Sequence, residues 1–245
     1  AEWSGVLYCG LNLFFAEGCC MKLLALETAN EQCSVSLIDN SQELFFQLDA
    51  RPKAQTQTIL PLTEQALLHS HIQLADLTAI AFSRGPGSFS GVRINAAVAQ
   101  ALAWSHDLPV IPVSSLQALA QAAFRLSGLT QVTAVLDARM QEVYIANFRL
   151  DQQGIMQPLD EEKLLSYERA ANYAQFSAIG SGAALIQPSQ DNAAATPYMM
   201  ATAQDIASIA RVAAAQQQWL DAAQALPVYL RDDAWKKIAE QGKAN

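Results

Sequence analysis

The sequence predicts an α/β protein built as two duplicated lobes, and three observations point there. An acid-ended apolar strand, a short turn and an alternating strand occur twice. Leu26-Glu27-Thr28 and Leu136-Asp137-Ala138 hold equivalent places, and Val35 falls opposite Ile145 with the turn length unchanged. Helical and strand periodicities then alternate after each hairpin, as in α/β architectures. Composition supplies the core: 51% of the 245 residues are hydrophobic, only 16% are charged, and 11 Gly with 9 Pro exclude collagen-like or globally disordered chains.

Taken in order, residues 1–20 carry three of the four cysteines (Cys9, Cys19, Cys20) and no Lys or Arg. A secretory signal needs a basic start and an unbroken apolar run, which this stretch lacks. The reading is an upstream extension, with the natural start at Met21, where regular patterning begins. Lys22–Thr28 is predicted as a buried strand, Gln32–Ile38 as a second and Glu43–Asp49 as a third, an antiparallel meander. Gln57–Ser70 is helical, with Pro61 tolerable only in the first turn. Leu77–Ser83 is a strand, Gly85–Gly91 a glycine-rich turn and Val92–Trp104 a helix. Pro109–Val113 is a strand, and Ser114 or Ser115 caps the helix Leu116–Leu126. Val132–Ala138 and Glu142–Leu150 begin the second pass. A polar stretch follows, then a helix around Tyr167–Ala174, a strand into a glycine turn at Ser177–Gly182, and a helix capped by Thr202 with Ile206, Ile209, Ala210 and Ala213 on one face. The expected organisation is a first lobe at 21–126 and a second at 127–245, with a C-terminal tail returning to the first.

Fifteen basic against 23 acidic residues give a net charge of −8. Such a surface repels phosphate backbones at long range, so the chain is not expected to bind nucleic acid unaided. No apolar run is long enough to span a bilayer. After Met21 a single cysteine remains, Cys33, which makes no internal disulfide and favours a reducing cytoplasm.

The segment Ser83-Arg84-Gly85-Pro86-Gly87-Ser88-Phe89-Ser90-Gly91-Val92-Arg93 runs from a strand into a helix. Its glycines permit sharp turning and close approach, and helix-start N–H groups can receive an anion. No Lys-Ser/Thr follows, so it is not a P-loop; a plain connector capped by Ser88 or Ser90 is the simpler physical reading. The duplicated order resembles the actin, hexokinase and Hsp70 (ASKHA) ATPase superfamily, whose two acid-bearing hairpins hold Mg-ATP across a cleft. The acids here are Glu27 and Asp137. Because Ala138-Arg139-Met140 follows where a working ATPase keeps room for phosphate, Glu27 and Asp137 read as vestigial cleft acids. Arg139 is expected to pair with a carboxylate in the cleft or on a partner.

Four ordered segments, LALETA (Leu24–Ala29), RGPGSFSGVRI from Arg84, DARMQEVY (Asp137–Tyr144) and PVYLRDDAWKK (Pro227–Lys237), resemble the bacterial TsaB (YeaZ) family. Departures from its pattern are Glu27 for Asp, Ser90 for Thr and Asn95 for Gly. The resemblance implies a non-catalytic subunit that works with the threonylcarbamoyltransferase TsaD and the ATPase TsaE. That assembly forms threonylcarbamoyladenosine beside the anticodon of tRNAs reading codons that begin with A, from an adenylate made by TsaC. It further implies contact with tRNA only through the complex, no cofactor of the chain's own beyond a nucleotide at the complex interface, and a homodimer when alone. The catalytic relatives hold a metal with a His-x-x-x-His pair. Here the stretch is Ala54-Gln55-Thr56-Gln57-Thr58, and His69, His71 and His106 lack a convergent third donor, so no metal site is expected. Arg84, Gly85, Pro86, Gly87, Ser88, Gly91 and Arg93 form the signature loop.

The helix from Val92 is apolar all round, so it must be covered on more than one side. Its small stripe, Val92, Ala96, Ala99 and Ala103, with Ile59, Leu62 and Ala66 on the preceding helix, is the expected partner interface. Two rivals stand against this reading. One is an ATP-dependent small-molecule kinase or ATPase on the same fold. The other is a peptidase acting on TsaD, for which no nucleophilic triad is visible.

Overall fold

The computed structural model describes residues 21–186 and 199–231. The predicted extension at 1–20 and the end of the PVYLRDDAWKK segment lie outside the described residues. Strands β1 (Lys22–Glu27), β2 (Cys33–Asp39) and β3 (Gln42–Asp49) form the meander, followed by α1 (Gln55–Ser70), β4 (Ala79–Gly85), α2 (Phe89–Trp104), β5 (Val110–Ser114) and α3 (Ser115–Ser127). Strands β6 (Gln131–Asp137), β7 (Glu142–Leu150), β8 (Met156–Pro158) and β9 (Lys163–Ser166) come next. Then follow α4 (Tyr167–Tyr173), β10 (Ala178–Ile179), α5 (Ala183–Ile186) and α6 (Ala203–Ala215).

The duplication is explicit in the sheets. The first runs β3-β2-β1-β4-β5 and the second β8-β7-β6-β10, so the third, second, first and fourth strands of each half lie in the same order. In both, the first two strands are antiparallel while the first and fourth are parallel. This is the doubled α/β lobe that the repeated strand and helix order predicts. The third-strand position of the second sheet is shared by two short strands, β8 beside Phe148–Leu150 and β9 beside Glu142–Ile145. Sequence reading had only a polar stretch there, because strands of three and four residues are too short to display a period.

Side chains alternate strictly across the first sheet. Leu24, Leu26, Ile80 and Phe82 face α1 and α2; Leu23, Ala25, Ala79 and Ala81 face α6. In the second sheet Val132 and Ala134 face α3, while Val135 and Ile145 face α4 and α5. The order of layers is therefore α1/α2, first sheet, α6 with α3, second sheet, α4/α5. The strands divide between β5 and β6 but the helices do not: α3 lies on the second sheet and α6 on the first. Asp205, fully buried, joins these two middle helices, since its oxygens accept from Arg125 at 2.8 and 2.9 Å and from the Thr202 backbone N–H at 2.9 Å. The Thr202 cap predicted for α6 is thus present, with Asp205 completing it.

Two expectations are corrected here. Helix α2 starts at Phe89 rather than Val92, with Ser88 as its cap. Pro61 stands in the second turn of α1, not the first. Its ring is tolerated because Pro61 and Gln57, whose carbonyl loses its donor, are both exposed to water. Beyond α6 a strap returns along the first lobe. Leu220 bridges Val110 through two backbone hydrogen bonds, Ala222 and Ala225 enter the core beneath α2, and the Val228 N–H donates to the Arg84 carbonyl at 2.8 Å.

Candidate functional site

The signature loop is closed by its own chain. A Cβ on Gly91 would stand 2.1 Å from the Thr28 carbonyl oxygen, and one on Gly87 2.6 Å from that of Ala29. The Ser88 N–H donates to the Ala29 carbonyl at 2.8 Å, and the Thr28 hydroxyl donates to the Gly91 carbonyl at 2.8 Å. Gly87 and Gly91 therefore serve the close approach of the loop to Thr28 and Ala29, just past the end of β1. Gly85 takes φ +99° with the strap's Val228 carbonyl close by, and buried Pro86 follows it. Arg84 pairs across to Glu162 at 3.3 Å. The Arg93 guanidinium lies 3.6 Å from the Phe89 ring centroid, and its Nε donates to the Tyr229 hydroxyl at 2.7 Å.

The two acids expected at the cleft lie in different surroundings, Glu27 buried and Asp137 partly exposed. Glu27 is 1% exposed; burial, the largest influence, pushes its carboxyl up to about 7. Oε1 accepts from the Ala29 N–H, and Oε2 has no partner among the described residues. Asn95, another departure from the family pattern, is buried beside it. Its amide donates to Ser83 Oγ at 2.7 Å and to the Leu26 carbonyl at 3.1 Å. Asp137 lies at the hairpin end and is engaged by Arg139, at 2.8 Å to the backbone N–H and 3.0 Å to the guanidinium. Arg139 thus pairs with a carboxylate, that of Asp137 two residues before it. Among the described residues, no three His, Cys, Asp or Glu side chains gather as a metal site.

A Ser–His contact that sequence reading missed is Ser105 Oγ to His106 Nδ1 at 2.8 Å. The same hydroxyl donates to the Leu102 carbonyl at 2.8 Å. With its proton committed there, it can only accept from the imidazole, so His106 is not placed as its base. The Cys33 thiol is buried, and burial pushes its pKa up, away from a reactive thiolate.

The helices α1 and α2 hold the remaining site residues, but on the inner side. Ile59, Leu62, Ala66, Val92, Ala96, Ala99 and Ala103 are all buried, with Ala66, Ala99 and Ala103 at 0% exposure. All but Val92 join the core cluster with Leu24, Leu26 and Phe82 of the chain's own sheet, and Val92 lies beside Gly85. The expectation that these seven meet a partner is corrected, since all are buried inside the chain, and the alanines among them let the helices sit close to a sheet whose own side chains are large. The outward surface is one face around. Leu60 and Leu68 are 52% and 67% exposed. With Pro61, Leu67 and Leu102 they line an apolar groove of about 550 Å³ between the two helices.

Comparison with known proteins gives a consistent picture. Residues 51–244 match the family model described as TsaD, tRNA N6-adenosine threonylcarbamoyltransferase. The chain is 37% identical over 230 residues to the tRNA threonylcarbamoyladenosine biosynthesis protein TsaB of Haemophilus influenzae, covering 89% of this chain and 97% of that protein. The Escherichia coli TsaB is 38% identical over 229 residues, covering 89% of this chain and 98% of its own length. The solved structure of YeaZ from Pseudomonas aeruginosa superposes with a TM-score of 0.77 at 37% identity, covering 86% of this chain and all of that one.

Proposed function

This chain belongs to the TsaB family of tRNA threonylcarbamoyladenosine biosynthesis proteins, and we propose that it serves that synthesis as a non-catalytic subunit. It docks and activates the threonylcarbamoyltransferase TsaD in an assembly that includes the ATPase TsaE. The observation that carries the reading is the outward groove between α1 and α2. Leucines at Leu60 and Leu68 stand more than half exposed, and an apolar face of this kind is stabilised when another surface covers it. The occupant is the transferase itself. This chain matches the transferase family model across both helices, so the transferase offers a corresponding helix pair and a pseudo-twofold contact between relatives. With Glu27 buried and Asp137 engaged by Arg139, transfer chemistry is assigned to the partner, and any nucleotide to the interface of the complex. The assembly works in the cytoplasm, and tRNA reaches this chain only through it.

The test is reconstitution. TsaD should be captured by the wild-type chain and lost with Leu68→Glu, while threonylcarbamoyl transfer to tRNA should need both proteins. Transfer by this chain alone would overturn the reading. A groove occupied by a second copy, with TsaD bound elsewhere, would move the docking site.

A further inference from the structure

Two of the four sequence segments, DARMQEVY and the described part of PVYLRDDAWKK, play no part in the docking face, yet they meet. Arg231 at the end of the strap ion-pairs with Glu142 at 2.7 Å and donates to the Ala138 carbonyl at 3.1 Å. The turn between β6 and β7 holds Arg139, Met140 and Gln141 at φ +62°, +54° and +61°. Three successive left-handed non-glycine residues are costly and persist where surrounding contacts hold them. Beside this junction lies an open pocket of about 440 Å³, with Leu165 and Leu230 in its wall and Lys163, Arg169 and Arg231 around it.

Among the described residues that line the pocket, three are basic and one, Glu142, is acidic, and Glu142 is already engaged by Arg231. Lys163 is held 4.5 Å from the Tyr173 ring centroid, and neither Lys163 nor Arg169 has a carboxylate within ion-pair distance among the described residues. Two cations without an ion-pair partner among the described residues thus border one concavity in a chain of net charge −8. Both are exposed, so each remains hydrated and gains little from a small free anion. A polyanion held in place by a larger assembly is different, because it arrives at high effective concentration.

We propose that this pocket grips the phosphodiester backbone of the RNA substrate once the chain is assembled with the transferase. The inference rests on the function proposed above. Phosphate contacts of this kind position an RNA without reading its sequence. They also leave a signature in salt dependence, since each neutralised phosphate releases counterions.

The experiment measures binding of an unmodified tRNA transcript to the reconstituted assembly across a salt series. It compares wild type with Lys163→Ala/Arg169→Ala and, independently, with Arg169→Glu. Arg231 is left intact because it also anchors the strap. Both variants should keep the wild-type melting profile and capture TsaD normally. The double variant should bind tRNA about tenfold more weakly, with a log-affinity against log-salt slope shallower by roughly one to two. Unchanged affinity and slope in an assembly that forms and transfers normally would overturn the pocket proposal while leaving the function intact. Failure of the wild-type chain to capture TsaD or support transfer would instead sink the function first. A third arm titrates inorganic phosphate into the isolated chain. Phosphate binding lost in the variants, with tRNA binding unaltered, would overturn the RNA assignment in favour of a free anion.

Discussion

Glu27 and Asn95 are two of the three departures from the family pattern, and the fold brings them to one buried polar cluster around Ser83. A longer acid and an amide in place of glycine fill the same interior. Glu27 has a folded pKa near 7 against an ordinary value of 4.5, so its contribution is complete below pH 4.5 and declines as pH rises toward 7. The decline corresponds to a few kcal/mol, on the order of 3. Glu27→Gln keeps an acceptor for the Ala29 N–H and cannot ionise, so its urea midpoint should vary less between pH 5 and pH 8 than that of wild type. Equal slopes for the two proteins would show that Glu27 ionises freely. The glycines separate in the same way. Gly91→Ala drives a Cβ into the Thr28 carbonyl and should cost at least about 3 kcal/mol. Gly128→Ala meets nothing within 4 Å but sits at φ +68°, so its cost should be nearer 1 kcal/mol. Chemical denaturation of the two variants gives the comparison.

At the scale of elements, α1 and α2 each have an inner and an outer apolar face, and the two respond oppositely to charge. Ala99 is at 0% exposure against the sheet, so Ala99→Glu buries an unpaired carboxylate and should unfold the chain. Leu68→Glu places its charge in water on the outer face; circular dichroism should be unchanged while association through the groove is lost. A folded Ala99→Glu protein would mean that α2 can lift from the sheet.

For the whole molecule, the middle layer decides how the two sheets are joined. Helix α3 leaves the first half to lie on the second sheet, α6 does the reverse, and Arg125 meets Asp205 between them. Arg125→Ala would leave Asp205 buried without its cation and should cost about 3–5 kcal/mol. Because α3 packs on the second sheet and on α6, and α6 covers the first sheet, the loss should appear as one cooperative transition in calorimetry rather than as early melting of a single lobe.

The sequence by itself determined the duplicated order of strands and helices, because period-two and helical patterns, caps such as Ser114 and Thr202, and the repeated hairpin with Glu27 and Asp137 are local properties of the chain. It also made the family legible through four spaced segments. Tertiary structure alone decided which apolar face of α2 is inside, because Ala96, Ala99 and Ala103 fit closely against either a sheet or another helix, and only the large side chains of Leu26 and Phe82 settle the choice. It likewise decided that Gly87 and Gly91 admit Thr28 and Ala29 at close range, that α3 and α6 change places, and that Arg231 meets Glu142. Each of these joins residues distant in sequence, and no local pattern along a chain encodes such a distance.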